Sequence, residues 1–378
     1  MGAKFATVDD PTATRFNPAN LSFLDGTQVL VGASVWYGEV DFQSLVGTSE
    51  EMGDPLKYTG GLYLGGPIGD SPFSWGFSAS APYGVDMRWK RDGVFEFALP
   101  HEASLVTLDL SPAISYQISE KTTVGAALNV MWSQLNLEQD FPWVALTGVP
   151  GTPNGVQEFD GDGWGVGATF GITHEIAEGH RIAATGRLSI PTDLSGDYTI
   201  TNIPAPLEPF FSDRSDYNTE MEFPWSYGVG YAVDLCEAVT LGFDFEYIGN
   251  STHDDLPVDI GVNQALAPSD SVGLNWEDSF SVGTGLDYRV NEKLTLRLGY
   301  LYTQTPIPDE TYIPLIPGAD RNIVTFGLGY QTKRGSWDFA YVAGFYQDRE
   351  IRTNVVPQFN GNYESQWDVF TISHTINF

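Results

Sequence analysis

The sequence predicts an all-β protein, a 14-stranded antiparallel transmembrane β-barrel. Three observations carry the prediction: long period-2 alternation, connections that switch between very short and very long, and an even number of strands ending on an aromatic residue. The alternation is clearest in "VTLGFDFEYI" (239–248), where Leu241, Phe243, Phe245 and Tyr247 share one face while Gly242, Asp244 and Glu246 share the other. "LTLRLGYLY" sets Leu294, Leu296, Leu298, Tyr300 and Tyr302 against Arg297 and Gly299 in the same way. "WSYGVGYAVDL" sets Trp225, Tyr227, Val229, Tyr231, Val233 and Leu235 against Gly228, Gly230, Ala232 and Asp234. A soluble sandwich alternates too, but with strands of about 5 or 6 residues and a buried apolar face. Alternation over roughly 10 or more residues, with small or charged residues on the second face, suits lipid outside and a polar lumen inside.

Composition agrees. The 378 residues include 41 Gly, 23 Phe, 18 Tyr and 10 Trp, a profile of strands and turns. Only 18 Lys plus Arg stand against 49 Asp plus Glu, and a formal charge of −31 repels nucleic acid and anionic membrane surfaces. The lone Cys236 permits no internal disulfide. The opening Met1-Gly2-Ala3 lacks a basic-then-apolar leader, as expected of a mature chain or of one that is not exported. No apolar run reaches the roughly 18 residues a spanning helix needs, which leaves a spanning barrel open.

In chain order, residues 1–27 stand apart from a barrel over 28–378. Strands are expected near 29–42, 57–67, 74–90, 101–118, 122–137, 163–175, 180–200, 217–235, 239–253, 275–290, 294–305, 321–332, 336–352 and 362–378. Tight turns, "SEK" (119–121), "AEGH" (177–180), "NEK" (291–293) and "KRGS" (333–336), belong on the periplasmic side. The loops 138–160, 201–216, 254–274 and 306–320 are long, rich in Pro and Gly, and belong outside. "DGDG" (160–163) lacks the rest of a calcium loop and is expected to be a turn. In the closing "TISHTINF", Phe370, Ile372, Ile376 and Phe378 share a face that His374 interrupts, a C-terminal strand suited to barrel-assembly machinery. The five histidines (His101, His174, His180, His253, His374) show no ligand spacing, so no metal, cofactor or catalytic residue is expected.

The opening stretch "DDPTATRFNPANL" has neither a period of 2 nor one of 3.6. It resembles the N-terminal signature of the FadL family of outer-membrane transporters for long-chain fatty acids and aromatic hydrocarbons. An acidic pair precedes a proline (Asp9, Asp10, Pro11), and Asn17, Pro18 and Ala19 lead on to Leu21 and the first strand. "SPFSWGFSASAPYGV" (71–85) resembles the family's third strand and "RIAATGRLSIPTDLSGDY" (181–198) its seventh. "LRLGYLYTQTPIPDETYIPLIPGADR" (296–321) resembles its eleventh and twelfth strands with their loop.

The resemblance implies an N-terminal plug (1–27) held in the lumen by Asp9, Asp10, Asn17, Pro18 and Ala19; the bland alternative is a periplasmic tail. It implies passive uptake, across the outer membrane of a Gram-negative bacterium, of long-chain fatty acids or, alternatively, of aromatic or aliphatic hydrocarbons. The partners are then a hydrophobic small molecule, outer-membrane lipid and, during assembly, the barrel machinery, for a monomeric chain. Pro82 and Gly84 fall inside the third strand, where a missing ladder donor and a bulge-tolerant residue bend "APYGV" inward and leave a gap to the next strand. Pro82, Tyr83 and Gly84 are thus a lateral gate, or merely a curvature device. Phe141, Trp143, Leu146, Phe210 and Phe211 put apolar surface into outer loops, either to pack together or to receive a ligand. Lumen parity gives Arg187 and Arg297 as candidate anchors for a carboxylate, although inward charges also pair across strands. A polar-solute porin and an outer-membrane lipid hydrolase remain as remote alternatives.

Overall fold

A computed structural model describes residues 2–267 and 269–378. Its wall is a closed antiparallel barrel, because the first strand (Gln28–Ser44) pairs on one side with the second (Leu56–Pro67) and on the other with the last (Gly361–Asn377). Between them the wall runs through Phe73–Ser80 with Gly84–Arg88, Glu102–Ser119, Thr122–Phe141, Gly155–Ala177, and His180–Arg187 with Ile190–Ile200. It continues through Arg214–Phe223 with Ser226–Cys236, then Val239–Ile248, Ser279–Arg289, Leu294–Thr303, Arg321–Thr332 and Gly335–Tyr346. Fourteen wall strands result, each hydrogen-bonded to its sequence neighbours.

The period-2 pattern dictates which face each residue takes. Phe243, Phe245 and Tyr247 are exposed on the outer face, whereas Gly242 and Asp244 are buried inside. His374 interrupts the outer apolar set of the last strand but is covered there: its ring stacks on Trp337 at 4.1 Å, and its Nδ1 lies 2.8 Å from the Ser336 carbonyl.

Two expectations change. The fifth and sixth strands extend past the predicted loop, which shrinks to residues 142–154, and "DGDG" lies inside the sixth strand rather than at a turn. Alternation continues through it: Gln134 donates to Asp160 (3.3 Å) and Trp132 to Asp162 (3.0 Å) across the ladder, so both carboxylates find partners without a turn. Three wall strands are interrupted, the third at 81–83, the seventh at 188–189 and the eighth at 224–225. The last two are adjacent, and the long sixth strand splints the seventh by pairing with both of its halves.

Candidate functional site

The periplasmic half of the lumen receives the N-terminal segment. A short helix (Ala13–Phe16) ends because Pro18 forces Asn17 into extended backbone (φ −154°, ψ 94°). Asn17 then caps the following turn, Pro18–Phe23, by accepting from the Ala19 amide at 3.2 Å. Its amide nitrogen donates to the Phe5 carbonyl (2.7 Å) and to Thr173 of the wall (2.9 Å), so one side chain ties the segment to itself and to the sixth strand. Asn20 donates to the carbonyls of Phe5 and Val8 and accepts from Thr173, and Ser22 meets Ser115 at 2.9 Å. Asp244 accepts from the amides of Lys4 and Phe5, and Lys4 pairs with Glu246 at 2.9 Å.

Inward glycines make this seat. A Cβ on Gly171 would stand 2.0 Å from Asn17 Oδ1, one on Gly125 2.3 Å from Pro18, and one on Gly228 2.3 Å from the Phe5 ring. Asp9 and Asp10 need a correction as tethers to the wall. Asp10 bonds within the segment, to the Thr12 amide (2.8 Å) and hydroxyl, and no hydrogen bond of Asp9 is found among the described residues. Hydrogen bonds are not the segment's only fastening: Phe5 and Ala6 pack on Ala183 and Ala232, and Ala13 packs with Leu21 and Leu24.

Above this seat the backbone ladder is interrupted. Between the pairs Ser80↔Asp109 and Gly84↔Val106 the third strand spends three residues where the fourth spends two. One extra residue is a bulge, and it inverts side-chain parity: Ser80 faces inward before it, Val85 and Met87 after it. Thr107 fills the bulge, accepting from the Tyr83 amide (3.2 Å) and donating to its carbonyl (2.5 Å). The ladder to the fourth strand therefore survives through Arg88, and the gap falls on the side of the preceding, second strand instead. Among the described residues, no backbone pair joins 56–60 to 81–87. The window is bounded at one end by Gly61↔Ser80 and at the other by the bond from the Gly53 amide to the Arg88 carbonyl at 2.8 Å.

The bulge carries Tyr83 into the lumen, where its ring meets Phe223 of the eighth strand with centroids 4.7 Å apart. Around that contact lie Leu105, Met131, Leu135, Ile190 and Leu194, all buried on the lumen face, with Val85 and Met221 beside them. Arg187 lies three residues before Ile190 and bonds Asp109 at 3.1 Å; Asp109 also accepts from Ser111 and Asn129. The Arg187 Nε is buried with no hydrogen-bond partner among the described residues. Arg297 is held by Asp338 and, at 3.5 Å, by Asp287. Both candidate anchors are thus ion-paired to the wall, as the pairing alternative anticipated.

At the outer rim the two readings of the loop aromatics divide by residue. Trp143 is fully buried, donates to the Thr201 carbonyl (2.9 Å), and packs with Phe141, Phe211, Tyr198 and Ile260. Phe210 (72% exposed) and Leu146 (48%) remain on the surface. A second rim cluster, which the sequence reading missed, joins Trp89, Phe95 and Leu99 to Tyr312, Leu315 and Phe359. Burial raises the Tyr312 phenol above its ordinary pKa, and the two-pronged bond to Asp140 raises the Arg91 guanidinium above its own. The lumen lining Leu105, Met131, Leu135, Ile190, Leu194 and Phe223 was missed as well. Its signal was available: these are apolar residues on the parity otherwise given to small and polar ones.

A family model described as "Outer membrane protein transport protein (OMPP1/FadL/TodX)" matches residues 1–378. A Salmonella typhi protein named "Long-chain fatty acid transport protein" is 21% identical over 398 residues, covering 99% of this chain and 89% of the relative. In fold, the chain is similar to the crystal structure of a Pseudomonas aeruginosa FadL homologue (TM-score 0.85, 18% identity, 100% of this chain and 96% of that one). It is also similar to the Ralstonia pickettii toluene transporter TbuX (TM-score 0.76, 20% identity, 100% and 96%).

Proposed function

We propose a route for the solute from one premise: the chain belongs to the outer membrane protein transport family (OMPP1/FadL/TodX) and is an outer-membrane β-barrel channel for hydrophobic molecules. The solute collects at the rim on Leu146 and Phe210, crosses the apolar lining around Tyr83 and Phe223, and leaves sideways through the window between the second and third strands. The N-terminal segment keeps the periplasmic half shut, so the bilayer is the exit. One observation carries this reading: the missing ladder between 56–60 and 81–87 lies beside an apolar lumen lining to which the kinked strand itself contributes Tyr83 and Val85. The lining offers hydrocarbon contact, worth about 25 cal/mol per Å² of apolar surface removed from water, and its cations already have carboxylate partners. Uncharged hydrophobes, the class named by the toluene transporter relative, suit it directly.

A second reading is favoured by the unpartnered Arg187 Nε together with the fatty-acid name of the curated relative. A long-chain fatty acid would lay its tail along the same lining and its carboxylate against that nitrogen. Binding of palmitate against methyl palmitate separates the two: Arg187→Met weakens only palmitate if the carboxylate is read there, and neither if the lining alone binds. The exit is tested by replacing Pro82 and Gly84 together with valine, which restores a regular ladder partner. Uptake of a hydrophobic solute should fall while the barrel still folds; a folded double variant with undiminished uptake would remove the lateral exit.

A further inference from the structure

Resting on the lateral exit proposed above, we propose that Lys57 and Asp86 form a movable bar across the window and so determine which hydrophobic solutes pass it. Lys57 points inward from the second strand, opposite Trp36 of the first. Asp86 lies on the outward parity of the third strand, between the inward Val85 and Met87. Side chains of opposite parity on neighbouring strands of a regular wall project from opposite faces and cannot meet. They meet here, Nζ to Oδ2 at 2.9 Å, because the bulge has inverted the third strand's parity and carried its outward face in behind the second strand. The ion pair is thus a product of the kink, and it crosses the opening that the kink creates.

Its construction suits a bar better than a fixed tie. Lys57 Nζ is buried and has no aligned hydrogen bond to any acceptor among the described residues, so charge attraction holds it. Asp54 stands on the rim side at 3.4 Å, a second carboxylate towards which the ammonium can swing on its long stem without losing all of its pairing. One cation between two carboxylates leaves the group net negative, which disfavours it as an anchor for an anionic headgroup and leaves obstruction as its effect. Outside the window Leu56, Tyr58 and Val106 are exposed and apolar, so a solute that clears the bar meets hydrocarbon at once. A slender solute passes beside a four-carbon stem, whereas a wide one needs the pair to part.

The test compares uptake of toluene and of pyrene, both uncharged, by the full chain in outer membranes, with heat-resistant gel mobility as the check on folding. Lys57→Met should raise pyrene uptake by about threefold, the scale on which a partly exposed ion pair acts, and leave toluene nearly unchanged. Asp86→Asn, which keeps the lysine and its volume, should move the pyrene to toluene ratio the same way. The charge exchange Lys57→Asp with Asp86→Lys should bring the ratio back, a rescue that a merely structural role would not give. An unchanged ratio in folded Lys57→Met and Asp86→Asn, or an exchange that fails to restore it, overturns the bar while leaving the exit standing. Uptake of neither solute by the intact chain would instead overturn the exit reading, and the bar with it.

Discussion

The two halves of the lumen obey the same alternation and put it to opposite uses. In the periplasmic half, inward positions such as Gly125, Gly171 and Gly228 are bare, and the N-terminal segment fills the space they leave, fastened by Asn17, Asn20 and Asp244. In the outer half, inward positions such as Met131, Leu194 and Phe223 are large and apolar, and they pack on one another and on Tyr83 from the kinked wall. A polar seat fixes a backbone by direction, because each hydrogen bond demands an angle as well as a distance. An apolar lining fixes nothing by direction, so it can part and reclose around solutes of different shape. The two halves thus differ in which residue types the lumen parity carries, and the proposed closure in one and passage in the other rest on that difference.

The sharpest way to break this comparison is to empty the periplasmic half. Deleting residues 2–24 should leave a heat-resistant barrel, since the ladder from Gln28 to Asn377 closes without them. Ionic current in a planar bilayer should rise well above that of the intact chain. An unchanged current would mean that the outer loops, not this segment, close the path.

Next in size is a change confined to the outer half. Leu194→Asn puts an amide without a prepared partner into the apolar lining, at a cost of about 1–3 kcal/mol. Uptake of toluene should fall roughly in step while the ionic current stays as low as that of the intact chain. If the current rose instead, the two halves would not be independent.

A smaller effect belongs to the fastening of the seat. Asn17→Ala removes bonds to the Phe5 carbonyl, Thr173 and Asn20, leaves those buried groups short of partners, and should loosen the segment by about 1–3 kcal/mol. The expected record is intermittent current bursts, between the silence of the intact chain and the steady conductance of the deletion. Asp9→Ala, by contrast, should leave the current as it is, because no hydrogen bond ties that carboxylate to the wall among the described residues.

The smallest effect sharpens the outer half. Tyr83→Phe keeps the ring contact with Phe223, and the phenol oxygen has no hydrogen-bond partner among the described residues, so toluene uptake should change by less than about twofold, an effect below about 0.5 kcal/mol. A larger loss would show that the hydroxyl, and not the ring, is what the passing solute meets.

Most strands and their faces were legible in the sequence because alternation is local: successive side chains of an extended chain point to opposite sides whatever lies beyond them. Phe243 outside and Asp244 inside needed only that rule. The bulge was legible in part, since Pro82 and Gly84 mark it, but the side on which it opens was not. That depended on Thr107, 24 residues on, bonding Tyr83 and keeping the fourth strand attached. Arg187 and Arg297 were placed correctly in the lumen, yet whether they were free to hold a carboxylate rested on Asp109 and Asp338, 78 and 41 residues away.

By itself, then, the sequence determined the barrel, its lipid face and the alternation of its short and long connections, all set by neighbours one or two positions apart. Only the closed tertiary structure decided which lumen glycines meet the N-terminal segment, which arginines are neutralised, and that Lys57 reaches Asp86. Each of those contacts spans the wall or the lumen. A cross-barrel distance exists only once fourteen strands have closed and one of them has bent inward.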